Sequence, residues 1–243
     1  MPFQWNVKSF GTLPSTQDYL KELVQSNDPS AVEGLVITTQ KQPGGRGRHG
    51  NQWDGPQGNL YQTFLLTPHC TPLVAGQYSF LMAVALGRAM QDFMDEGHAL
   101  QLKWPNDVLI DEKKCAGILL ESELSNEGLV THLYVGVGVN INSAPDDRIG
   151  LGDVTSKDVS ISVFQESFLN HIGNAIEQFK RDGFELIREE WLAQAYKMGK
   201  TIRVRLPHEI LHGVFEGLDE NGTLLLRLDN GDLQRITSGE VYF

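Results

Sequence analysis

Residues 42–53 read Gln42-Pro43-Gly44-Gly45-Arg46-Gly47-Arg48-His49-Gly50-Asn51-Gln52-Trp53, and no other stretch limits the fold so strongly. Six glycines fall between Gly44 and Gly58, a density that excludes a helix. A β-rich run, Leu35-Val36-Ile37-Thr38-Thr39, leads in, and another, Asn59-Leu60-Tyr61-Gln62-Thr63-Phe64-Leu65-Leu66, leads out, so the stretch is expected to be a loop bridging two strands. It holds Lys41, Arg46, Arg48 and His49 with no Asp or Glu between Gln40 and Trp53, in a chain whose formal net charge is -11. This local reversal of field suits an anionic ligand, and glycines let backbone N–H groups approach one closely. A solvated surface loop would account for the same residues.

Gly45-Arg46-Gly47-Arg48-His49-Gly50 also fits G-x-G-x-x-G, but not the dinucleotide-binding context. That fingerprint needs a helix opening at its last glycine and an acid about 20 residues further on. Asn51-Gln52-Trp53-Asp54-Gly55-Pro56 cannot open a helix, and Cys70 stands where the acid should be. What survives is an arginine-bearing loop, flexible when empty, that folds over an anion and excludes water from it.

A chain of 243 residues is long enough for one large domain and one small one, and 40% hydrophobic content provides for a real core. Its acidic balance argues against a general nucleic-acid binder. No signal-peptide pattern opens the sequence and no run of 18 apolar residues occurs, so a soluble cytoplasmic protein away from membranes is expected. Cys70 and Cys115 lie 45 positions apart and suggest neither a disulfide framework nor a thiolate zinc site. His208 and His212, flanked by Pro207 and Gly213, read as surface residues.

Ser15-Thr16-Gln17-Asp18 has the form of a capping box, predicting a helix to Gln25; capping alone accounts for Ser15. Apolar residues recur at helical spacing over 74–94, with Gly97 placed as a terminator, and helical patterns return over 162–181 and 183–196. Residues 100–110 and 114–121 are expected as two strands of a hairpin that brings Lys103 near Lys114. In Leu133-Tyr134-Val135-Gly136-Val137-Gly138-Val139-Asn140-Ile141-Asn142, glycine alternates with β-branched residues, as in a strand that something approaches closely. After Met198 the composition shifts to four short strands with turns such as Asp219-Glu220-Asn221-Gly222, predicting a small β-barrel.

Five of these segments occur in an order that resembles the biotin protein ligase family. They are Ser15-Thr16; Gln42 with Gly45-Arg46-Gly47-Arg48-His49-Gly50 and Trp53; Lys103-Trp104-Pro105-Asn106-Asp107; Lys114-Cys115-Ala116-Gly117-Ile118-Leu119; and Gly136-Val137-Gly138-Val139-Asn140. The resemblance implies an α+β fold. Its catalytic domain, residues 1–198, would have a central mixed sheet flanked by helices, as in class II synthetases, and residues 199–243 would form a small SH3-like β-barrel. It also implies an ATP-dependent enzyme that makes biotinyl-5′-adenylate and then passes the biotin to a lysine of a biotin carboxyl carrier protein domain. Biotin and ATP would be substrates, and Mg2+ would accompany the phosphates.

Carried onto this sequence, the resemblance assigns Lys114, Arg48 and Asp107 to catalysis. Biotin would be held by Ser15, Thr16, Gln42, Gly45, Arg46, Arg48, Lys114 and Gly117, and the nucleotide by Arg46, Arg48, His49, Trp53, Asn106, Lys114 and Asn140. No direct metal ligand is implied. Gln17 stands where Asn is frequent, Pro43-Gly44 replaces a Thr-Ala or Gln-Ala pair, and Cys115 replaces an apolar residue. The ligase-like segments begin near the start of the sequence, as in family members without a DNA-binding module, so no nucleic-acid partner is expected; a homodimer is compatible with the sequence. Two other readings stay open: a lipoate ligase on the same catalytic fold, and a non-catalytic adenylate-binding regulator.

Overall fold

The computed structural model describes residues 3–242, with the side chains of His49 and Asp54 outside the description. Its centre is a mixed sheet built from β1 (Asn6–Thr12), β2 (Leu35–Arg46), β3 (Gln52–Gly55), β4 (Leu60–Leu66), β5 (Leu100–Lys103), β6 (Asp107–Ile110), β7 (Lys113–Leu124) and β8 (Val130–Val139). The spatial order is β1-β2-β4-β8-β7-β6-β5, with β3 attached to β2. β1 runs parallel to β2, and the other pairings are antiparallel.

Alternation along the strands divides the sheet into two faces. Leu35, Ile37, Leu65 and Tyr134 pack with Leu20 of α1 (Thr16–Gln25) on one face. Val36, Leu60, Phe64, Val135 and Val137 point the other way, into the main core beneath α2 (Pro72–Gln91), α3 (Ile161–Asp182) and α4 (Glu185–Ala193). α2 is long and apolar enough to cross a membrane by length and composition, but it is largely buried inside this core. It ends at Gln91, with Asp92 as C-cap, rather than near residue 94, and Gly97, with φ 98°, lies in the turn beyond.

Residues 100–110 form two strands where one was expected. Pro105 has no N–H to donate to a ladder, and the chain turns at Trp104-Pro105-Asn106 through a cis Trp104–Pro105 bond. β5 and β6 pair with Lys103 opposite Asp107, and β6 pairs in turn with β7, giving a three-stranded meander. The turn is fastened to β7 by Asn106, whose Nδ2 donates to the Ile118 carbonyl at 2.7 Å and whose carbonyl accepts from Ile118 N at 3.0 Å.

The C-terminal region has five strands, one more than expected: β9 (Thr201–Arg205), β10 (Ile210–Leu218), β11 (Leu224–Leu228), β12 (Leu233–Ile236) and β13 (Glu240–Tyr242). They pair antiparallel in the order β12-β11-β10-β9-β13. Ile202, Val204, Phe215, Leu218, Leu224 and Leu226 join the same core cluster as α2 and α4, so apolar packing continues across the two sheets. Trp104 Nε1 donates to the Gly222 carbonyl at 3.3 Å, and Arg188 Nη1 donates to the Leu218 carbonyl at 3.2 Å.

Gly222 is one place where this packing leaves no room for a side chain. Its φ is 85°, and a Cβ there would lie 2.6 Å from Cε2 of Phe80. Gly222→Ala is expected to cost about 2–4 kcal/mol, the sum of left-handed strain and overpacking. Gly231→Ala has a similar φ of 89° but open space around it, and should cost only about 1 kcal/mol. Urea unfolding of both variants checks the difference.

Candidate active site

Along the middle of the sheet, on the α1 face, Gly117, Gly136 and Gly138 leave the strands without side chains. Gly136 lies opposite Leu119, and Gly138 opposite Gly117. A Cβ at Gly138 would meet the Trp53 ring at 2.6 Å, and one at Gly136 would meet Gln17 Oε1 at 2.1 Å. Above this floor is a cavity of about 390 Å3, walled by the start of α1, the β2–β3 hairpin, the Trp104–Asp107 turn, Lys114, Arg148 and β13.

One end of the cavity is neutral and polar. Ser15 is the N-cap of α1, its Oγ accepting from Asp18 N at 3.1 Å. Next to it, Gln42 Oε1 accepts from Thr16 N at 2.8 Å and from Thr16 Oγ1 at 3.0 Å. Thr16 Oγ1 lies 2.8 Å from Thr63 Oγ1. Ser15, Thr16, Gln42 and Thr63 are all buried, so this end offers fixed neutral donors and acceptors with little competing water.

The other end is charged. Lys114 Nζ is 2.6 Å from Asp107 Oδ1 and 5.3 Å from the centre of the Trp53 ring. Lys103 lines the same wall; burial pushes its pKa down, Asp107 and Glu240 oppose the shift, and Lys114 adds to it. Arg48 Nη1 donates to the Gly239 carbonyl at 3.2 Å, which ties the hairpin to the C-terminal sheet. Burial pushes the Arg48 guanidinium down as well, against the pull of Asp107 and Glu240. Three groups of like charge in one wall prepare a site for polyanions, with Asp107 and Glu240 moderating their repulsion.

The glycine-rich stretch is more ordered than a loop. β2 continues to Arg46, and β3 returns alongside it with Arg46 opposite Gln52 and Gly45 opposite Trp53. A 3-10 turn at Arg48–Gly50 closes the hairpin. Arg46 is engaged by carboxylates: Nη1 and Nη2 each lie 3.2 Å from a Glu121 oxygen, and Nη2 also pairs with Asp18. Lys21 and Gln17 bind Glu121 Oε2 at 2.8 Å and 2.6 Å. Burial pushes the Glu121 carboxyl up, but Lys21, Arg46 and Gln17 together hold it below its ordinary range.

Of the expected residues, Ser15, Thr16, Gln42, Arg46, Arg48, Trp53, Asn106, Asp107, Lys114 and Gly117 line the cavity. Gly45 lies behind the wall, where a Cβ would clash with the Trp53 carbonyl at 2.5 Å. Asn140 is buried off the cavity lining, with Nδ2 unpartnered and its carbonyl accepting from Leu151 N. The His49 side chain lies outside the described residues. Sequence reasoning missed Arg148, Glu240 and the Glu121 cluster; only fold contacts bring these to the hairpin and the cavity. Among the described residues no three His, Cys, Asp or Glu side chains are grouped to hold a metal.

The chain belongs to the biotin/lipoate A/B protein ligase family, whose pattern matches residues 10–140. Residues 197–243 match the biotin protein ligase C terminal domain. Over 225 residues the chain is 38% identical to a biotin--[acetyl-CoA-carboxylase] ligase of Paracoccus denitrificans, covering 88% of this chain and 92% of that protein. It is 31% identical to the bifunctional ligase/repressor BirA of Bacillus subtilis over 242 residues, 94% of this chain and 71% of that one. The fold superposes on a biotin protein ligase from Aquifex aeolicus in complex with biotin and ATP with a TM-score of 0.81 and 28% identity, covering 98% and 97% of the two chains.

Two outcomes follow from the floor and the hairpin. Gly138→Ala should lift Trp53 off the sheet, raising acrylamide quenching of its fluorescence relative to a Trp53→Phe control and costing about 1–3 kcal/mol of stability. Because the folded Glu121 carboxyl sits below the ordinary 4.5, its contribution to stability is complete above that pH and is lost as pH falls through the lowered value. The melting-temperature gap between wild type and Glu121→Gln should therefore shrink as pH drops below about 4.5.

Proposed function

We propose that this protein is an ATP-dependent ligase that joins biotin to a lysine of a biotin carboxyl carrier protein domain. The observation that carries the reading is the polarity of the cavity: a buried neutral nest of Ser15, Thr16, Gln42 and Thr63 at one end, and Lys114, Arg48 and Lys103 at the other. A ureido ring matches the nest, because its N–H and C=O groups need neutral partners. A lipoyl dithiolane has neither N–H nor C=O in its ring and would make no hydrogen bond with these buried groups. Both the C-terminal match and the Paracoccus relative support biotin over lipoate.

In the first step a biotin carboxylate oxygen attacks the α-phosphorus of ATP; a bond forms between that oxygen and the α-phosphorus, and the bond from the α-phosphorus to the α,β-bridging oxygen breaks as pyrophosphate leaves with the electron pair. Two anions are brought together, so fixed cations where charge builds up lower the barrier. Lys114 and Arg48 take that role, and Trp53 offers an aromatic surface for the base. Arg46 and Gly45 set the hairpin wall beside the biotin end. Asn106 holds the turn that carries Asp107, and Asn140 braces the segment after β8. Mg2+ would enter with ATP and offset charge on its phosphates; among the described residues no cluster of His, Cys, Asp or Glu would hold it.

In the second step the neutral amine of the carrier lysine attacks the mixed anhydride and AMP leaves. An ammonium must first lose its proton, and Asp107, at the mouth of the Trp104–Asp107 turn, is the acceptor. The carrier would dock against that turn, with the adjacent C-terminal sheet as a second contact. At a net charge of -11 these residues should bind duplex DNA no better than the non-specific range, on the order of 10⁻⁴ M or weaker.

Biotin-dependent release of pyrophosphate from ATP tests the reading; its absence would overturn it. Lys114→Ala should lower that rate roughly a hundredfold or more without loss of fold. Arg48→Gly should loosen the hairpin from Gly239, letting the adenylate escape to label bystander lysines, which streptavidin blotting of a mixed protein sample would reveal.

A further inference from the structure

Gln17 lines the neutral end of the cavity, and none of the roles above uses it. It lies in the first turn of α1 and is only 4% exposed. Three residues on, Leu20 joins Tyr134 in the apolar cluster of this face, and on the same side of the helix Gln17 lies over Gly136, two residues along β8. A Cβ on Gly136 would stand 2.1 Å from Gln17 Oε1 and 3.3 Å from its Cδ, so the amide rests on the glycine floor. The nitrogen of that amide is anchored, Nε2 donating to Glu121 Oε2 at 2.6 Å.

That anchor decides which way the amide faces. Glu121 is held by Lys21 at 2.8 Å and by Arg46 at 3.2 Å, and these cations keep its carboxylate ionised near neutrality. An ionised carboxylate can only accept, so the N–H side of Gln17 turns toward it and the oxygen turns away, over Gly136. Among the described residues Gln17 Oε1 accepts no hydrogen bond. A buried acceptor on a cavity wall with no internal donor is costly unless a ligand supplies one.

The protons of the neighbouring nest are fixed in the same way. Thr16 Oγ1 donates its one proton to Gln42 Oε1, so in the 2.8 Å contact between the two threonines Thr63 Oγ1 is the donor. Its proton spent, Thr63 Oγ1 has only lone pairs left to offer. Gln42 Oε1 already accepts twice from Thr16, which leaves Nε2 to donate; Ser15 Oγ accepts from Asp18 N and retains its own proton. The cavity is thus left with two donors, Ser15 and Gln42, and two acceptors, Thr63 and Gln17. A cyclic urea is the complement: one C=O that takes two donors, and two N–H groups that point to opposite sides. Thr63 lies opposite Gly136 in β4–β8, so the two acceptors share one rung of the sheet, on strands about 5 Å apart. We infer that Gln17 Oε1 accepts one ring N–H of the cyclic urea while Thr63 accepts the other, which makes Gln17 a specificity-determining residue. This rests on the ligase reading above.

Titration calorimetry with biotin and its two cyclic carbamate analogues, each with one ring N–H replaced by oxygen, tests the assignment. The wild-type chain should bind each carbamate about tenfold or more weakly than biotin, the scale of a buried acceptor left without a donor. Gln17→Met fills similar space with no acceptor. It should weaken biotin binding about tenfold and lose discrimination against one carbamate, biotin and that analogue then binding within about twofold of each other, while the other stays disfavoured. KM for ATP should stay within about twofold. A merely structural role would not give this pattern, because loosened packing weakens all three ligands alike. Equal binding of biotin and both carbamates by the wild-type chain would overturn the proposal without any variant, and so would full discrimination against both carbamates in Gln17→Met. A wild-type chain that neither binds biotin nor releases pyrophosphate with it would overturn the ligase reading itself, and this proposal with it.

Discussion

Empty space on the sheet is the condition for everything else. Gly117 and Gly138 face each other across β7 and β8, with Gly136 one step along, and together they clear a floor that any side chain would fill. Trp53 can lie flat only because Gly138 has no Cβ. Lys114 reaches back over the same clearing, its Nζ 3.4 Å from where a Gly117 Cβ would stand. The floor itself is rigid, since each glycine strand is paired on both sides and backed by Val135, Val137 and Ile118 in the main core. A bare surface over a packed one lets a ligand approach backbone closely without loosening the fold.

Around that floor, charge is arranged so that the empty site tolerates its own cations. Asp107 serves Lys114 and lies opposite Lys103, while Glu121, itself off the cavity lining, holds Arg46 and Gln17 of the wall together with Lys21. An anion entering the cavity exchanges these internal partners for phosphate oxygens, so part of its binding energy goes into rearrangement. Such exchange favours a ligand with several negative charges over one with a single charge, which fits a triphosphate better than a lone carboxylate.

How legible this was in the sequence depended on whether a feature was local. Ser15 and the extent of α1 follow from capping within four residues, and the helix is found at Thr16–Gln25. The glycine strand β8 was visible from alternation, and the neutral and cationic residues from their order along the chain. The β2–β3 hairpin was not, because glycine and arginine carry little strand preference and the pairing is decided by what Gly45 and Arg46 lie against. The break at Pro105 was written in the sequence but was hidden by apolar residues on both sides. β13 is three residues long, too short for a period. Arg148 sits in an irregular segment between Asp147 and Ile149 with no pattern to mark it, and only its bridge to Lys114 gives it meaning. Asn140 was marked by its place in a recognisable motif, and its side chain is buried with Nδ2 unpartnered.

The hydrogen bond from Arg48 to the Gly239 carbonyl joins residues 191 positions apart. Its consequence is one of timing during synthesis. A nascent chain can pair β2, β3 and β4 and cover them with α2 long before residues 239–242 emerge from the ribosome, since domains form from the N-terminal side as they are made. In that interval the nest of Thr16 and Gln42 can exist while the opposite wall, with Glu240 and the anchor for Arg48, does not. The wall that would shield a reactive intermediate from water and from stray amines is therefore added last, and a partly made chain holds a seat without a cover.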